Sequence, residues 1–380
     1  MSLNDLPDYC LWKIFENIDE AKDLIRLSKV CSRWSDLIQD SRFNRVKYLQ
    51  IMYGKVDYID VNYLRINFNT NWNDYNLVEL FPNLKIIDGV FFVNHPSHNL
   101  LKIFKNNTQM KGLLLKDIDM SNCGLSRNGY LENVEMCALE HDFDYKKVFR
   151  PDQLKQVYVY NFDMNDLPSF IRYFPNLKRF NLRLVQADGV FYNGPNLSSL
   201  KILELDSTDW VKQFTGFHFM DFCPSLESAF IHYWARDIYV DESIKNYNLR
   251  DLVFDNIISH FFSWPVFKNL LSKFPNLHHL AIRDFYQLDD SNLEELIKLL
   301  PELKILDLRG CTNSTHVSAD ILSKFCVKEN RSIAIYYDCE NEPTEWPKLV
   351  KTYDRICCGL DFMKHCFYKK YKCLPDLIDE

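Results

Sequence analysis

The chain has 380 residues, 47% of them apolar, and a formal net charge of −7. This length and composition can bury one elongated core or two compact ones. The acidic balance excludes nucleic acid as the main ligand, because neutralising phosphates needs a basic surface.

The opening of the chain carries a dense apolar pattern: Leu6-Pro7, Leu11, Ile14-Phe15, Ile18, Asp23-Leu24, Leu27, Val30-Cys31 and Trp34. Leu11, Ile14, Phe15 and Ile18 recur on one helical face, with Pro7 where a first-turn proline is tolerated. Asp23 is placed to cap a second helix bearing Leu24, Leu27, Val30 and Cys31, and Trp34 follows on a third. Some forty residues bury too little surface to be stable unaided. Residues 1–45 resemble an F-box, the helical module that docks on a Skp-type adaptor of a cullin ubiquitin ligase. The resemblance implies an adaptor-binding surface at Leu6, Pro7, Leu11, Ile14, Phe15, Leu24, Val30 and Trp34, which requires those side chains to be reachable by the partner.

From there a repeat runs through residues 46–340. Phe81-Pro82-Asn83-Leu84 returns as Phe174-Pro175-Asn176-Leu177 and Phe274-Pro275-Asn276-Leu277, and more loosely at Cys223-Pro224-Ser225-Leu226 and Leu300-Pro301-Glu302-Leu303. Each phrase opens an L-x-x-L-x-L element, with anchors at 61, 84, 110, 131, 154, 177, 200, 226, 249, 277 and 303 and a degenerate last copy at Ile333 and Ile335. The alternation predicts a short strand with one face inward, and such units bury that face only by stacking. Ser291-Asn292-Leu293-Glu294 reads as a capping box opening a helix that Pro301 stops, and Ser263-Trp264-Pro265 opens another. Repeat boundaries between residues 90 and 145 are not fixed by the pattern. The stretch resembles a leucine-rich-repeat solenoid, an α/β fold with parallel strands on its concave face and helices or irregular arms outside. It departs from the family eight residues after each anchor, where Asn or Cys is usual. Only Asn69, Thr208 and Cys311 fit, and Phe162, Trp234 and Phe285 among others predict aromatic packing instead.

Side chains two, four and six residues after an anchor face the concave side under this reading. They include Tyr158 and Tyr160, Arg179 and Arg183, Phe230 and His232, Asp255, His279 and Arg283, and Arg309. Exposed aromatic and Arg side chains of mixed charge suit a protein ligand, so these residues are the expected target-binding surface. Arg179 and Arg183 form a natural phosphate pair.

Residues 341–380 leave the repeat. Trp346, Leu349, Val350, Tyr353, Ile356, Cys357 and Leu360 recur at helical spacing and predict a C-terminal helical cap. Cys357, Cys358, His365, Cys366 and Cys373 lack paired C-x-x-C spacing, so no metal is expected, and His95 and His98 read as an inter-repeat loop. No stretch has the form of a secretory signal or a bilayer span, and the 12 cysteines read as reduced thiols, which together predict cytoplasm or nucleus and no membrane partner. Phosphate-loop, zincin and nucleophile-elbow motifs are absent, so neither catalysis nor a cofactor is expected. Combining an F-box with leucine-rich repeats resembles the substrate-recognition subunit of an SCF-type ubiquitin ligase. This implies a Skp-family adaptor, cullin and RING subunits through it, and an unknown target protein as partners. A repeat scaffold or inhibitor without ubiquitin transfer is the alternative.

Overall fold

A computed structural model describes residues 3–18, 20–52, 62–67, 76–90, 107–116, 131–140, 143–185, 187–256, 263–346, 356–358 and 376–378. The chain divides into two compact units, the first holding Met1–Leu154 with Thr352–Ile356 and the second Lys155–Lys351 with Cys357–Glu380.

The first unit opens with three helices, α1 (Asp8–Glu16), α2 (Ala21–Ser28) and α3 (Ser32–Ser41). Each buries one face only: Leu11 and Phe15, then Ala21, Leu24 and Ile25, then Trp34 and Ile38. α1 and α2 both pack on α3, and Phe15 meets Trp34 edge-on at 5.4 Å. Pro7 occupies the N-cap of α1. The cap of α2 is Glu20, not Asp23, which lies in the first turn. Glu20 turns instead toward the first strands, where its carboxylate takes Arg65 at 3.0 Å and the Asn67 amide at 3.1 Å.

Parallel strands follow: β1 (Tyr48–Met52), β2 (Tyr63–Asn67), β3 (Ile86–Val90), β4 (Gly112–Lys116) and β5 (Met136–Glu140), with a short helix α4 (Leu77–Leu80) before β3. Their order is β5-β4-β3-β1-β2. The sequence pattern missed β1, whose anchor is the buried Val46. The Val61 copy does open a strand, β2, two residues on, but β2 lies outside β1, and β3 pairs with β1. The copy anchored at Leu131 is displaced: Met136 pairs with Gly112, which makes Val134 the residue equivalent to Met110. Val134 and Leu131 are both buried, so hydrophobicity could not choose between them.

The second unit carries β6 (Gln156–Asp163), β7 (Arg179–Val185), β8 (Ile202–Phe214), β9 (Ser228–Ile238), β10 (Asp251–Asn256), β11 (His279–Arg283), β12 (Ile305–Asp307) and β13 (Ala334–Tyr336). They stand side by side in chain order, and every described pairing is parallel. Strands β6 to β12 each begin two residues after the predicted anchor, whereas in β13 the register puts Ile335 opposite Leu306, two residues from the degenerate copy's expected alignment. Returning arms include α5 (Leu167–Tyr173), α6 (Gly216–Met220), α7 (Trp264–Leu271), α8 (Leu293–Leu299) and α9 (His316–Glu329). The capping box before α8 is made by Asp289 with Asn292, not by Ser291, and it opens a 3-10 turn that runs into the helix. Leu203, Leu205, Leu252, Phe254, Leu280 and Ile282 on the inner strand faces are fully buried.

The recurring Pro-Asn-Leu phrase has a structural cause. The asparagine just before an anchor donates to the carbonyl two residues before the preceding anchor: Asn83 to Asn44 at 2.7 Å, Asn248 to Pro224 at 2.8 Å and Asn276 to Tyr247 at 2.8 Å. Aromatic packing holds the corner eight residues after an anchor only in part. Phe162 and Phe285 are buried there, whereas Trp234 is 37% exposed. Of the expected C-terminal helix, residues 347–355 and 359–375 lie outside the described residues, and Ile356–Cys358 forms a strand, β14, paired with β15 (Asp376–Ile378). The His95–His98 loop and Asn69 also lie outside.

Arg42, fully buried, joins the three helices to the first strands by donating to the Ile18 and Tyr63 carbonyls at 3.0 and 2.8 Å. Replacing it by methionine keeps the bulk and removes both donors. We expect Arg42→Met to cost the first unit about 2–3 kcal/mol, read as a lower urea midpoint by helix circular dichroism.

Candidate functional site

Two surfaces are candidates, one in each unit. In the amino-terminal helices, Leu11, Phe15, Leu24 and Trp34 are spent on the helices' own core. The expectation that these four are offered to a partner is therefore corrected, because a side chain packed between its own helices is not reachable. Leu6 is half-buried, while Pro7, Ile14 and Val30 are exposed. With them the surface shows Leu3, Tyr9 and Trp12, 57%, 67% and 39% exposed. The N-terminal approach to this patch is pinned by Arg33, which donates to the Asn4 and Leu6 carbonyls and pairs with Asp8 at 2.6 Å. Lys13 and Arg45 both pair with Glu16, at 2.8 Å each, and the hydrogen bond from Lys13 holds its carboxyl below the usual range.

The second surface is the outward face of β6–β13. Strand register lines up three rows across it. One runs Gln156, Arg179, Ile202, Ser228, Asp251 and His279, and the middle one Tyr158, Asn181, Glu204, Phe230, Val253, Ala281, Asp307 and Tyr336. The third runs Arg183, Asp206, His232, Asp255 and Arg283. Charges in these rows meet across strands. Arg179 grips Glu204 through two nitrogens at 2.5 to 3.0 Å. Asp206 sits between Arg183 at 3.6 Å and His232 Nδ1 at 2.8 Å. Asp251 accepts from Ser228 at 2.6 Å and meets His279 Nδ1 at 2.5 Å. Asp307 takes Arg309 at 2.7 Å and Arg283 at 3.4 Å, and burial pulls the Arg283 guanidinium below its ordinary range.

Residues 3–49 match the family model described as F-box-like. The amino-terminal segment is an F-box-like domain. No curated protein matches the chain. Among solved structures, the chain is similar to one from the yeast Rad7 and Elc1 complex at 13% identity, covering 81% of this chain and 89% of that one with a TM-score of 0.39. A protein from Bacteroides fragilis is similar at 15% identity, covering 77% and 80% of the two chains with a TM-score of 0.24.

The matched stretch runs from the three helices into the start of β1. Of the expected target-binding residues on the second surface, Tyr158, Arg179, Phe230, His232, Asp255, Arg283 and Arg309 are buried. Their exposure is corrected: the side chains do share one face, but a buried row is not open to a ligand. Arg179 is committed to Glu204, so the Arg179–Arg183 phosphate pair is also withdrawn. Tyr160 and His279 are half-buried, and the Arg183 side chain is 39% exposed. Sequence reasoning missed the accessible rim. β8 and β9 run on beyond their neighbours, and a register shift between Ser207 and Val211 leaves Trp210 and Trp234 exposed there, at 47% and 37%. The signal was present: Trp234 stands where the repeat calls for Asn or Cys, and a 26-residue step from anchor 200 to 226 interrupts a run of 23.

Breaking the Arg179–Glu204 pair from one side strands a fully buried carboxylate. Arg179→Met should destabilise the second unit by about 3–5 kcal/mol, and adding Glu204→Leu should recover most of that loss. A double-mutant cycle in urea measures both.

Proposed function

We propose that this chain is the substrate-recognition subunit of an SCF-type ubiquitin ligase. The observation that carries the reading is the coincidence of the F-box-like match with a helical core that closes on itself yet leaves Pro7, Trp12, Ile14 and Val30 outside. Exposed apolar and aromatic side chains on so small a unit are the material of a desolvated docking surface. On this reading the F-box-like domain binds a Skp-family adaptor, which bridges to cullin and RING subunits. The repeats hold a target protein beside a conjugating enzyme carried elsewhere in the assembly. The chain contributes proximity, raising the effective concentration of target lysines, and no catalytic group of its own. Among the described residues no helix is long and apolar enough to cross a membrane.

Ile14 and Val30 are 43% and 55% exposed, so charges placed there leave the helical core intact. Ile14→Asp with Val30→Asp should abolish co-purification of a Skp-type adaptor and cullin while helix content is unchanged. Undiminished adaptor capture by the double variant would refute the assigned surface, and a wild-type chain that captures neither partner leaves the scaffold reading in possession.

For the target, the accessible part of the repeat surface is the rim bearing Trp210, Trp234 and Arg183. Truncating a buried interface tryptophan costs about 2 kcal/mol or more, roughly thirtyfold in affinity. Trp210→Ser with Trp234→Ser should therefore stabilise in cells the same proteins that Ile14→Asp/Val30→Asp stabilises, with adaptor binding retained. Non-overlapping sets in quantitative proteomics would remove the rim from the recognition surface.

A further inference from the structure

Beyond Ser207 the outward side of β8 and β9 changes character. Val211 stands opposite Ala235, and both are buried. Side chains alternate along a strand, so the residues flanking this pair fall on the outward face: Trp210 and Lys212 on β8, Trp234 and Arg236 on β9. All four are exposed. Neighbouring strands lie ~4.8 Å apart and two residues advance ~6.7 Å. The result is a small rectangle with two indoles along one edge and two cations along the other. Asp209 and Asp237, the exposed carboxylates of the same stretch, alternate with these residues, in phase with Val211 and Ala235.

Among the described residues neither the Lys212 nor the Arg236 side chain has an ion-pair partner, and neither indole packs against another ring. The rows before them are the opposite case, since Arg179, Asp206 and His232 are all engaged. The size of the patch limits what can hold on to it. Two cations release few counterions, so a nucleic acid gains little here. A phosphate backbone would also be repelled by the adjoining Asp206 and Asp255 and by the chain's net charge of −7. A ligand held by four side chains has to lose little freedom on binding. Proline-containing segments meet that condition, because they are extended beforehand and dock their rings on aromatic side chains. At ~3.1 Å per residue, a group two residues from a proline lies about 6.2 Å along such a segment. That matches the separation of the indoles from the cations.

We propose that Trp210, Trp234, Lys212 and Arg236 form a docking site for an extended, acidic, proline-containing protein segment. The indoles take the proline ring, and the two cations take aspartate or glutamate side chains two residues away. That this segment belongs to a ligase target rests on the reading above; the chemistry of the surface does not. Fluorescence anisotropy on the full chain tests it with a short labelled peptide bearing one proline two residues from a pair of glutamates. Saturable binding is expected, weakened about tenfold or more when the proline becomes alanine or the glutamates become glutamines. Lys212→Glu with Arg236→Glu should lose this peptide and gain one in which lysines replace the glutamates, a swap that a misfolded chain cannot produce. No saturable binding by the wild-type chain, or unchanged binding after the charge reversal, overturns the proposal. Tighter binding of a phosphoserine version, or of single-stranded RNA of equal length, overturns the assignment to carboxylates. Peptide binding without overlap between the protein sets stabilised in cells keeps this ligand and removes the target role. Overlap without peptide binding does the reverse.

Discussion

A strand that is apolar on one side cannot finish its own core, and everything in this protein is arranged around that deficit. Each repeat closes the one before it through the parallel amide ladder and, at three anchors, through the asparagine that precedes the anchor. The Asn83, Asn248 and Asn276 side chains reach back by the same offset to the preceding repeat. Stability then accrues interface by interface rather than in one central core. A change at a strand position is felt mainly by the two repeats beside it.

The outward face obeys a different balance. In the second unit it carries a connected set of buried charges, in which Asp206, Asp251 and Asp307 each serve two partners. Buried ions are costly to desolvate, and their mutual attraction repays that cost only when the geometry is good. The bidentate Arg179–Glu204 contact meets that condition. These rows thus fix the lateral order of the strands as well as lining a surface. Accessible chemistry is displaced to the rim, where β8 and β9 outrun their neighbours and present Trp210 and Trp234.

Much of this was legible in the sequence. Repeat anchors from Leu154 to Leu303 place their strands without error, because leucine at fixed offsets is a direct consequence of a buried inner face. The three helices were equally plain, but their stripes were not: Ile18, Val30 and Cys31 lie beyond the helix ends, and the buried Ile25 was missed. Three further things were not legible. Periodicity does not encode pairing order, so nothing in the pattern reveals that β2 flanks β1 rather than following it. Near residue 131 two buried apolar residues three apart compete for one anchor, and only strand register separates Leu131 from Val134. Above all, alternation identifies which side of a strand a residue faces but not whether that side is wet. The same limit applies to the helices: the stripe that marks an amphipathic helix names the residues of its own core, so Phe15 and Trp34 were expected outside and Ile14 and Val30 carry that exposure instead.

The ties between the helices and the first strands have a mechanical consequence. Arg42 clasps the Ile18 and Tyr63 carbonyls from one direction while Glu20 holds Arg65 and the Asn67 amide from another. Two clasps thus tie the helices to the first strands. Whatever grips the helices at Ile14 and Val30 therefore also sets the heading of β1 and β2, as a handle welded to a blade sets the direction of its edge.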